Sequence, residues 1–271
     1  MTRTTSVVSR RGRIGLAVVM ALGLAVVYVP LVVVVVNSFN HSRTFGWPPS
    51  GFTTKWWTDA WHSSGARSAL VTSVKAGLGA TAVALVLGTM AAFAVSRYKF
   101  FGRDTVSLLV LLPIALPGIV TGIALNNAFR ELGLPFGLLT IIIGHATFCI
   151  VLVYNNAVAR LRRLGGSLEE ASMDLGAGVW QTFRLVTFPM MRSALLAGAL
   201  LAFALSFDEI IVTTFTASPG VQTLPLWIFS NLFRPNQAPV VNVVAAALIV
   251  LSVIPVWLAQ RVSGDAVGGR F

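Results

Sequence analysis

Apolar residues are gathered in six long runs that are separated by shorter polar segments. Each run holds about 20 residues or more, the length at which an α-helix crosses the hydrocarbon core of a bilayer. The runs occupy residues 14–36, 68–95, 106–124, 136–154, 192–215 and 240–259. The pattern predicts an all-α integral membrane protein with six transmembrane helices, in which residues 1–271 form one transmembrane domain.

Composition agrees with a multi-spanning membrane protein, because 56% of the residues are hydrophobic, 11% are charged and the mean hydropathy is +0.81. The net charge of +11 is also compatible with nucleic-acid binding. However, the basic residues lie in short loops and not on one face, which favours membrane lipid as the partner and excludes nucleic acid. The single cysteine, Cys149, excludes an internal disulfide and a metal site built from several cysteines.

The basic residues are divided unequally between the two sides of the predicted membrane domain. Fourteen Lys and Arg fall on the side that holds both termini and residues 160–190, and five fall on the other. Because short cytoplasmic segments are enriched in Lys and Arg, residues 1–13 and 160–190 are predicted to be cytoplasmic. Residues 37–67 then form an external loop, and both termini face the cytoplasm.

Several residues inside the runs are unusual for a membrane helix. Pro113, Pro117 and Gly118 predict a kinked third helix beside a pathway, because the backbone groups that they free must be satisfied within protein or a water-lined cavity. Lys75 is either a functional charge or a side chain that snorkels or packs. His145 is either a hydrogen-bonded packing residue or a ligand or proton relay.

The polar segment 167–189 interrupts the apolar pattern and carries Glu169, Glu170 and Asp174, three of the nine acidic residues in the chain. Ser167 with Glu170 three residues later matches a capping box, in which each side chain bonds a backbone amide at the start of a helix. A short helix is therefore predicted to begin at Ser167.

This helix is predicted to end at Gly176 and Gly178, and a second short helix is predicted over residues 180–186. Pro189 is expected to stop the second helix, because helices rarely continue through the residue before a proline. Two short helices that meet at a glycine corner, with apolar side chains beside the acids, suit a groove on a partner protein.

The sequence Glu170-Ala171-Ser172, followed by Gly176 and by residues 186–189, resembles the EAA loop of membrane permeases of ATP-binding-cassette importers. Ser172 and Phe188 depart mildly from that pattern. In the family, this loop is the coupling helix that docks into the ATPase subunit. The resemblance implies a docking role for Glu169, Glu170, Ala171, Ser172, Asp174 and Gly176.

Other segments resemble the spermidine/putrescine branch of these binding-protein-dependent permeases. They are residues 112–122, the stretch from Asp208-Glu209 to Thr213, and residues 239–242, which end at Asn242. The resemblance extends over residues 14–259. It implies that Asp208, Glu209 and Asn242 lie on the substrate pathway, where carboxylates would offset the charge of a polyammonium substrate. The alternative for the two acids is an ion pair with a basic residue of a partner permease.

The resemblance implies a type I importer permease in a bacterial cell membrane, with the coupling helix between the fourth and fifth spans. The implied partners are a second homologous permease, two ATP-binding subunits and an external solute-binding protein. The chain has no phosphate-binding G-x-x-x-x-G-K-[ST] motif, no H-E-x-x-H motif and no nucleophile elbow. We therefore expect a non-catalytic subunit with no cofactor of its own, whose partner ATPase binds ATP and Mg²⁺.

Alternatives remain open at this point. Within the family, the substrate is a polyamine, iron, thiamine or a phosphonate. Outside it, an ion-coupled secondary transporter also uses several spans with buried acids, although it needs no docking loop. A membrane enzyme is a third class, which the lack of a converging nucleophile, metal cluster or acid–base set disfavours.

Overall fold

The structure, a computed structural model, describes residues 10–43, 46–234 and 236–267, with side chains for 11–43, 46–234 and 236–252. Residues 1–9 of the predicted N-terminal segment lie outside the described residues. In the described chain an isolated bridge between Asn40 and Phe52 is the one β feature, and the rest is helix and loop. The helices are α1 (Arg10–Asn37), α2 (Lys55–His62), α3 (Ser64–Arg97), α4 (Arg103–Ala115), α5 (Gly118–Glu131), α6 (Leu138–Leu164), α7 (Ser167–Asp174), α8 (Val179–Thr182), a π-helical turn (Phe183–Thr187), α9 (Phe188–Phe207), α10 (Ile211–Thr216), α11 (Leu224–Asn231) and α12 (Ala238–Val267).

Four helical segments of the described chain are long and apolar enough to cross a membrane, which confirms the all-α membrane architecture. They are Arg11–Asn37, Ser64–Arg97, Leu138–Leu164 and Val179–Phe207. The pair α4 and α5 adds a fifth if it forms one broken span. The apolar helix Ala238–Ser252 is shorter. The count of six spans therefore stays a prediction.

The third predicted span is two helices and not one kinked helix. The direction of the helix axis bends by 106° between α4 and α5. Leu116, which precedes Pro117, has the extended backbone (φ −84°, ψ 144°) that a following proline favours. Pro117 then lies just before the first residue of α5, where its missing N–H costs no helical hydrogen bond. Pro113, in contrast, lies within α4 without ending it.

The chain divides into two compact units, residues 64–227 and residues 1–63 with 228–271. In the first unit, α3, α6 and α9 pack together around small residues, as membrane helices do when close backbone approach replaces the hydrophobic effect. Gly88 of α3 illustrates this, because a Cβ atom at that position would lie 2.9 Å from the carbonyl oxygen of Ile150 in α6. The fully buried small residues on the same helix are Ala76, Ala80, Ala84 and Ala92.

In the other unit, α1 and α2 both pack against α12. The loop after α1 is organised by Asn40, whose carbonyl oxygen accepts a hydrogen bond from Nε1 of Trp56 at 2.8 Å. Its side-chain Oδ1 accepts from the backbone N–H groups of Ser42 and Ser50. Apolar side chains of α1 are largely exposed, which suits a helix that faces lipid or another subunit.

Candidate functional site

The predicted docking helix is present as α7, but it begins differently from the predicted capping box. Gly166 is the N-cap residue, the backbone N–H of Glu170 bonds its carbonyl oxygen at 2.9 Å, and no side chain caps the helix. The capping-box prediction is therefore wrong, because Ser167 is already the first helical residue. Gly166 occupies the N-cap position instead, and glycine has no side chain with which to form a capping box.

The end of α7 at the glycine corner is confirmed. Gly176 has φ +87°, a left-handed conformation that glycine adopts without a Cβ penalty. Its N–H bonds the carbonyl of Met173 at 2.9 Å, and the N–H of Ala177 bonds the carbonyl of Ser172 at 3.1 Å. These two bonds define a Schellman motif, which reverses the chain directly after α7.

The six residues that are predicted to dock lie on two faces of α7 and its C-terminal corner. Glu170, Ala171 and Asp174 are exposed, as the i, i+4 spacing of Glu170 and Asp174 predicts, and so is Gly176 in the corner. Glu169 and Ser172 are only partly exposed and face the chain itself. Their docking role stays a prediction.

Glu169 has partners within the chain. Its Oε2 lies 2.6 Å from Nε of Arg97, the last residue of α3, and its Oε1 accepts hydrogen bonds from Arg97 Nη2 and Thr187 Oγ1, each at 3.1 Å. Ser172 is similarly paired with Thr182, with 3.1 Å between the two hydroxyl oxygens. Sequence reasoning missed the pairing of Glu169 with Arg97, because no local pattern links residues 72 positions apart.

The second part of the loop differs from the prediction of a separate helix over residues 180–186 that Pro189 stops. Helix α8, the π turn and α9 form one continuous apolar segment, Val179–Phe207. The N–H of Phe188 bonds the carbonyl of Phe183, five residues earlier. This wider turn lies directly before Pro189, which occupies the start of α9, where a proline is tolerated.

Apolar side chains project from the loop beside the exposed acids. Leu175, Trp180 and Leu185 are 90%, 69% and 70% exposed. The Trp180 ring stacks on Phe183, with 5.6 Å between their centroids. Between the loop and α3 lies an open cavity of ≈ 850 Å³ that Phe93 and Trp180 help to line. The loop thus presents an acidic helix next to apolar anchors.

The carboxylate pair Asp208-Glu209 lies at a break between α9, which ends at Phe207, and the short helix α10. Asp208 is exposed, whereas Glu209 is partly buried. Oε1 of Glu209 accepts a hydrogen bond from the N–H of Val212 at 2.8 Å and so caps the start of α10. The two adjacent acids are therefore in different environments.

Behind this break lies a buried polar network that was not predicted from sequence. His145 of α6 has no exposed surface; its Nδ1 lies 2.7 Å from Ser206 Oγ and its Nε2 lies 2.8 Å from Thr213 Oγ1. Thr213 donates its own proton to the carbonyl of Glu209 at 2.9 Å. The Nε2–H of His145 must then be the donor to Thr213, and Nδ1 accepts from Ser206. His145 is therefore buried and hydrogen-bonded, as the packing interpretation of this residue predicts.

Other sequence-predicted residues are placed separately. Asn242, near the start of α12, belongs to the unit that holds both ends of the chain and is 8% exposed. Lys75 lies on an exposed face of α3, as snorkelling requires. Across the described residues, no group of three or more His, Cys, Asp or Glu side chains is arranged to hold a metal ion.

Comparison with known proteins identifies the family. Residues 84–265 match the family described as binding-protein-dependent transport system inner membrane component. The spermidine/putrescine transport system permease protein PotC of Escherichia coli K12 is 33% identical over 246 residues, which cover 91% of this chain and 92% of PotC. The putrescine transport system permease protein PotI of the same organism is 34% identical over 240 residues, which cover 86% of this chain and 84% of PotI.

A solved structure supports the fold. The crystal structure of a bacterial ABC transporter involved in the import of the acidic polysaccharide alginate contains a chain that matches with a TM-score of 0.72 and 19% identity. The match covers 96% of this chain and 99% of that chain. At this identity the match concerns the fold alone. The family match and the two relatives show that the chain is a membrane permease subunit that belongs to the binding-protein-dependent transport system inner membrane components.

Proposed function

We propose that the chain is one of two homologous permease subunits of an ATP-driven polyamine importer. In this proposal it crosses the bacterial cell membrane six times with both termini in the cytoplasm. The observation that carries the substrate class is the similarity to two polyamine permeases over most of the chain. Two ATP-binding subunits and an external solute-binding protein complete the importer, and this chain binds no cofactor.

Helix α7 is the proposed contact with the ATPase. Its exposed Glu170 and Asp174 suit a groove with basic residues, and the neighbouring Leu175 and Trp180 supply apolar anchors. ATP binding and Mg²⁺ coordination belong to the partner subunits. When the ATPase dimer closes, α7 moves with it, and the spans alternate between outward and inward openings.

The proposed substrate pathway includes Asp208, Glu209 and Asn242. Charged side chains at membrane depth are costly unless they face water, a ligand or a partner. The exposed carboxylate of Asp208 at a helix break is suited to an ammonium group of a polyamine. In the alternative role, Asp208 pairs with a basic residue of the partner permease and contributes to assembly.

The proposal is tested by uptake of radiolabelled spermidine and putrescine in cells that lack this subunit and any second polyamine uptake system. We expect uptake to be lost and to be restored by the wild-type chain but not by Glu170→Lys. Restoration by Glu170→Lys would contradict docking through α7. Normal uptake without the subunit would contradict the polyamine substrate, and iron, thiamine and a phosphonate would then be tested in the same cells.

A further inference from the structure

The side chain of Arg97 joins four segments of the chain at one end of the α3–α6–α9 core. Its Nε and Nη2 bind both carboxylate oxygens of Glu169 in α7, at 2.6 Å and 3.1 Å. Its Nη2 also donates to the carbonyl of Gly165 at 2.7 Å, and its Nη1 donates to the carbonyl of Leu161 at 3.4 Å. The same carboxylate accepts a hydrogen bond from Thr187, directly before α9. Helices α3, α6, α7 and α9 therefore meet at this guanidinium–carboxylate pair.

The chemistry of this cluster suits arginine and carboxylate at these positions. The planar guanidinium offers five donors in a fixed geometry, so it bridges a carboxylate and two backbone carbonyls at once, which an ammonium group cannot do. The carbonyls belong to the C-terminal end of α6, where helix carbonyls lack helical partners and the dipole favours a cation. Glu169 lies in the first turn of α7, where the dipole favours an anion.

The pair is also shielded from water. The side chains of Arg97 and Glu169 are 19% and 17% exposed. An ion pair with two parallel hydrogen bonds at this degree of burial is stronger and better oriented than a surface pair. Ser172, one turn further along α7, is held by its contact with Thr182. One face of α7 is thus held against the chain, while Glu170, Ala171 and Asp174 on the other face are exposed.

We infer that Arg97 is a positioning residue that acts through Glu169 and transmits the movement of α7 to the membrane helices. The inference rests on the proposed docking of α7 to an ATPase. It goes beyond that docking, because docking alone does not determine which membrane helices move together with α7. Covalent continuity links α7 only to α6 and, through the α8 segment, to α9. Arg97 adds α3, which packs against both α6 and α9, to the elements that move together.

The test uses the complete importer, purified through a tag on this chain after co-expression with its ATPase, partner permease and binding protein. Hydrogen exchange is measured by mass spectrometry without nucleotide and after trapping with ATP and vanadate. In the wild type, we expect protection to change in α7 and in residues 89–97 together. In Arg97→Gln, Glu169→Gln and the double variant, we expect α7 to respond as in the wild type and residues 89–97 to lose most of their response.

A second measurement separates transmission from simple stability. Transport per ATP hydrolysed, measured with spermidine in proteoliposomes, is expected to fall by about tenfold in each single variant. The double variant should lose no more than the worse single variant, because the two side chains act as one unit. Arg163→Gln is the matched control, since Arg163 is an exposed basic residue at the end of α6. It should keep the wild-type exchange response.

The outcomes are distinct. If residues 89–97 respond to trapping in Arg97→Gln as in the wild type, the inference is overturned. If α7 shows no response to trapping in the wild type, the proposed docking of α7 is contradicted, and the inference that rests on it is contradicted too. This result differs from the first one, in which α7 responds and only the role of Arg97 is contradicted. If the glutamine variants do not assemble, Arg97→Lys replaces them: a wild-type response in residues 89–97 overturns the inference, and a reduced response supports it.

Discussion

Nε2 of His145 in α6 and Oγ1 of Thr213 in α10 lie 2.8 Å apart in a fully buried setting. Through this contact, and through Ser206 at the end of α9, one imidazole holds both sides of the break that carries Asp208 and Glu209. We expect His145→Leu to destabilise the protein by about 1–3 kcal/mol, because two buried hydrogen bonds are lost while the side-chain volume changes little. Thermal unfolding of the purified subunit in detergent measures this change.

Thr147→Val is the matched control for His145→Leu. The hydroxyl of Thr147 donates a hydrogen bond to the carbonyl of Gly144 in the same helix, α6. Loss of this bond therefore removes no contact between different helices. We expect its effect to stay within about 0.5 kcal/mol. Equal stability of His145→Leu and the wild type would show that the network does not hold the break.

The helical membrane architecture was predictable because long apolar runs are a local property of the chain. The breaks within those runs were less predictable. Residues 205–213 keep enough apolar residues for a continuous span. The residues on either side of the break, Ser206 and Thr213, bond to His145, which lies more than 60 positions away in the sequence. At Pro117, local sequence predicts a distortion, but the angle of 106° depends on what α4 and α5 pack against.

Part of the candidate site could likewise be predicted from the sequence. The exposed acids of α7 follow from helical spacing, and the corner at Gly176 follows from glycine's access to positive φ. The inward orientation of Glu169 could not be predicted from the sequence. Its partner Arg97 is one of the basic residues in short loops that were used to predict the topology, and nothing in the sequence marks it as a partner of Glu169. Position along the chain carries no information about that pairing.

The close approach of α3 and α6 at Gly88 predicts a large effect of a small substitution. In Gly88→Ala, the new Cβ atom would lie 2.9 Å from the Ile150 carbonyl oxygen and 3.1 Å from Cβ of Val153. Because backbone atoms cannot rotate away, the helices must separate, and we expect a destabilisation of about 1–3 kcal/mol. The measurement is thermal unfolding of the purified subunit.

Gly79→Ala is the matched control in the same helix. Its Cβ would meet Cδ1, Cγ1 and Cγ2 of Ile142 at 2.7 Å, 3.0 Å and 3.3 Å, which are all side-chain atoms and not backbone. We expect Gly79→Ala to cost clearly less than Gly88→Ala, since a side chain can move aside and alanine favours the helix by about 1 kcal/mol relative to glycine. Equal losses in both variants would contradict the packing of α3 on α6 described above.

The corner after α7 predicts a specific defect in docking. Gly176 has φ +87°, and an L-residue in this conformation costs roughly 1–2 kcal/mol. In Gly176→Ala, we expect this strain to displace α7 and to reduce the ATPase that co-purifies with the permease by roughly 5- to 30-fold. Gly176→Asn should be milder, because asparagine tolerates this conformation better.

Gly178→Ala serves as the control for the corner. Gly178 has φ −69°, and a Cβ atom at this position would enter open space. ATPase recovery should therefore remain close to the wild-type value. If Gly176→Ala and Gly178→Ala recover equal amounts of ATPase, the conformation of Gly176 has no role in docking.

The different environments of Asp208 and Glu209 predict different consequences of removing each charge. Asp208 is exposed, so Asp208→Asn should leave the melting temperature unchanged. If Asp208 faces a polyammonium substrate, spermidine uptake at low concentration should fall by roughly tenfold, the effect of losing about 1.4 kcal/mol of interaction. Uptake kinetics and thermal unfolding of the same variant measure both effects. Glu131 is an exposed acid at the end of α5, so Glu131→Gln is the control for the loss of a negative charge.

For Glu209, two substitutions separate capping from charge. Glu209→Gln keeps an oxygen that can accept from the N–H of Val212, so stability should be retained, whereas Glu209→Ala loses the cap and about 1 kcal/mol. If the carboxylate also attracts substrate, Glu209→Gln should raise the KM for spermidine without lowering the melting temperature. If Glu209→Gln transports like the wild type while Glu209→Ala is unstable, Glu209 serves the structure of the break, and Asp208 is left as the acid of this pair that meets the substrate.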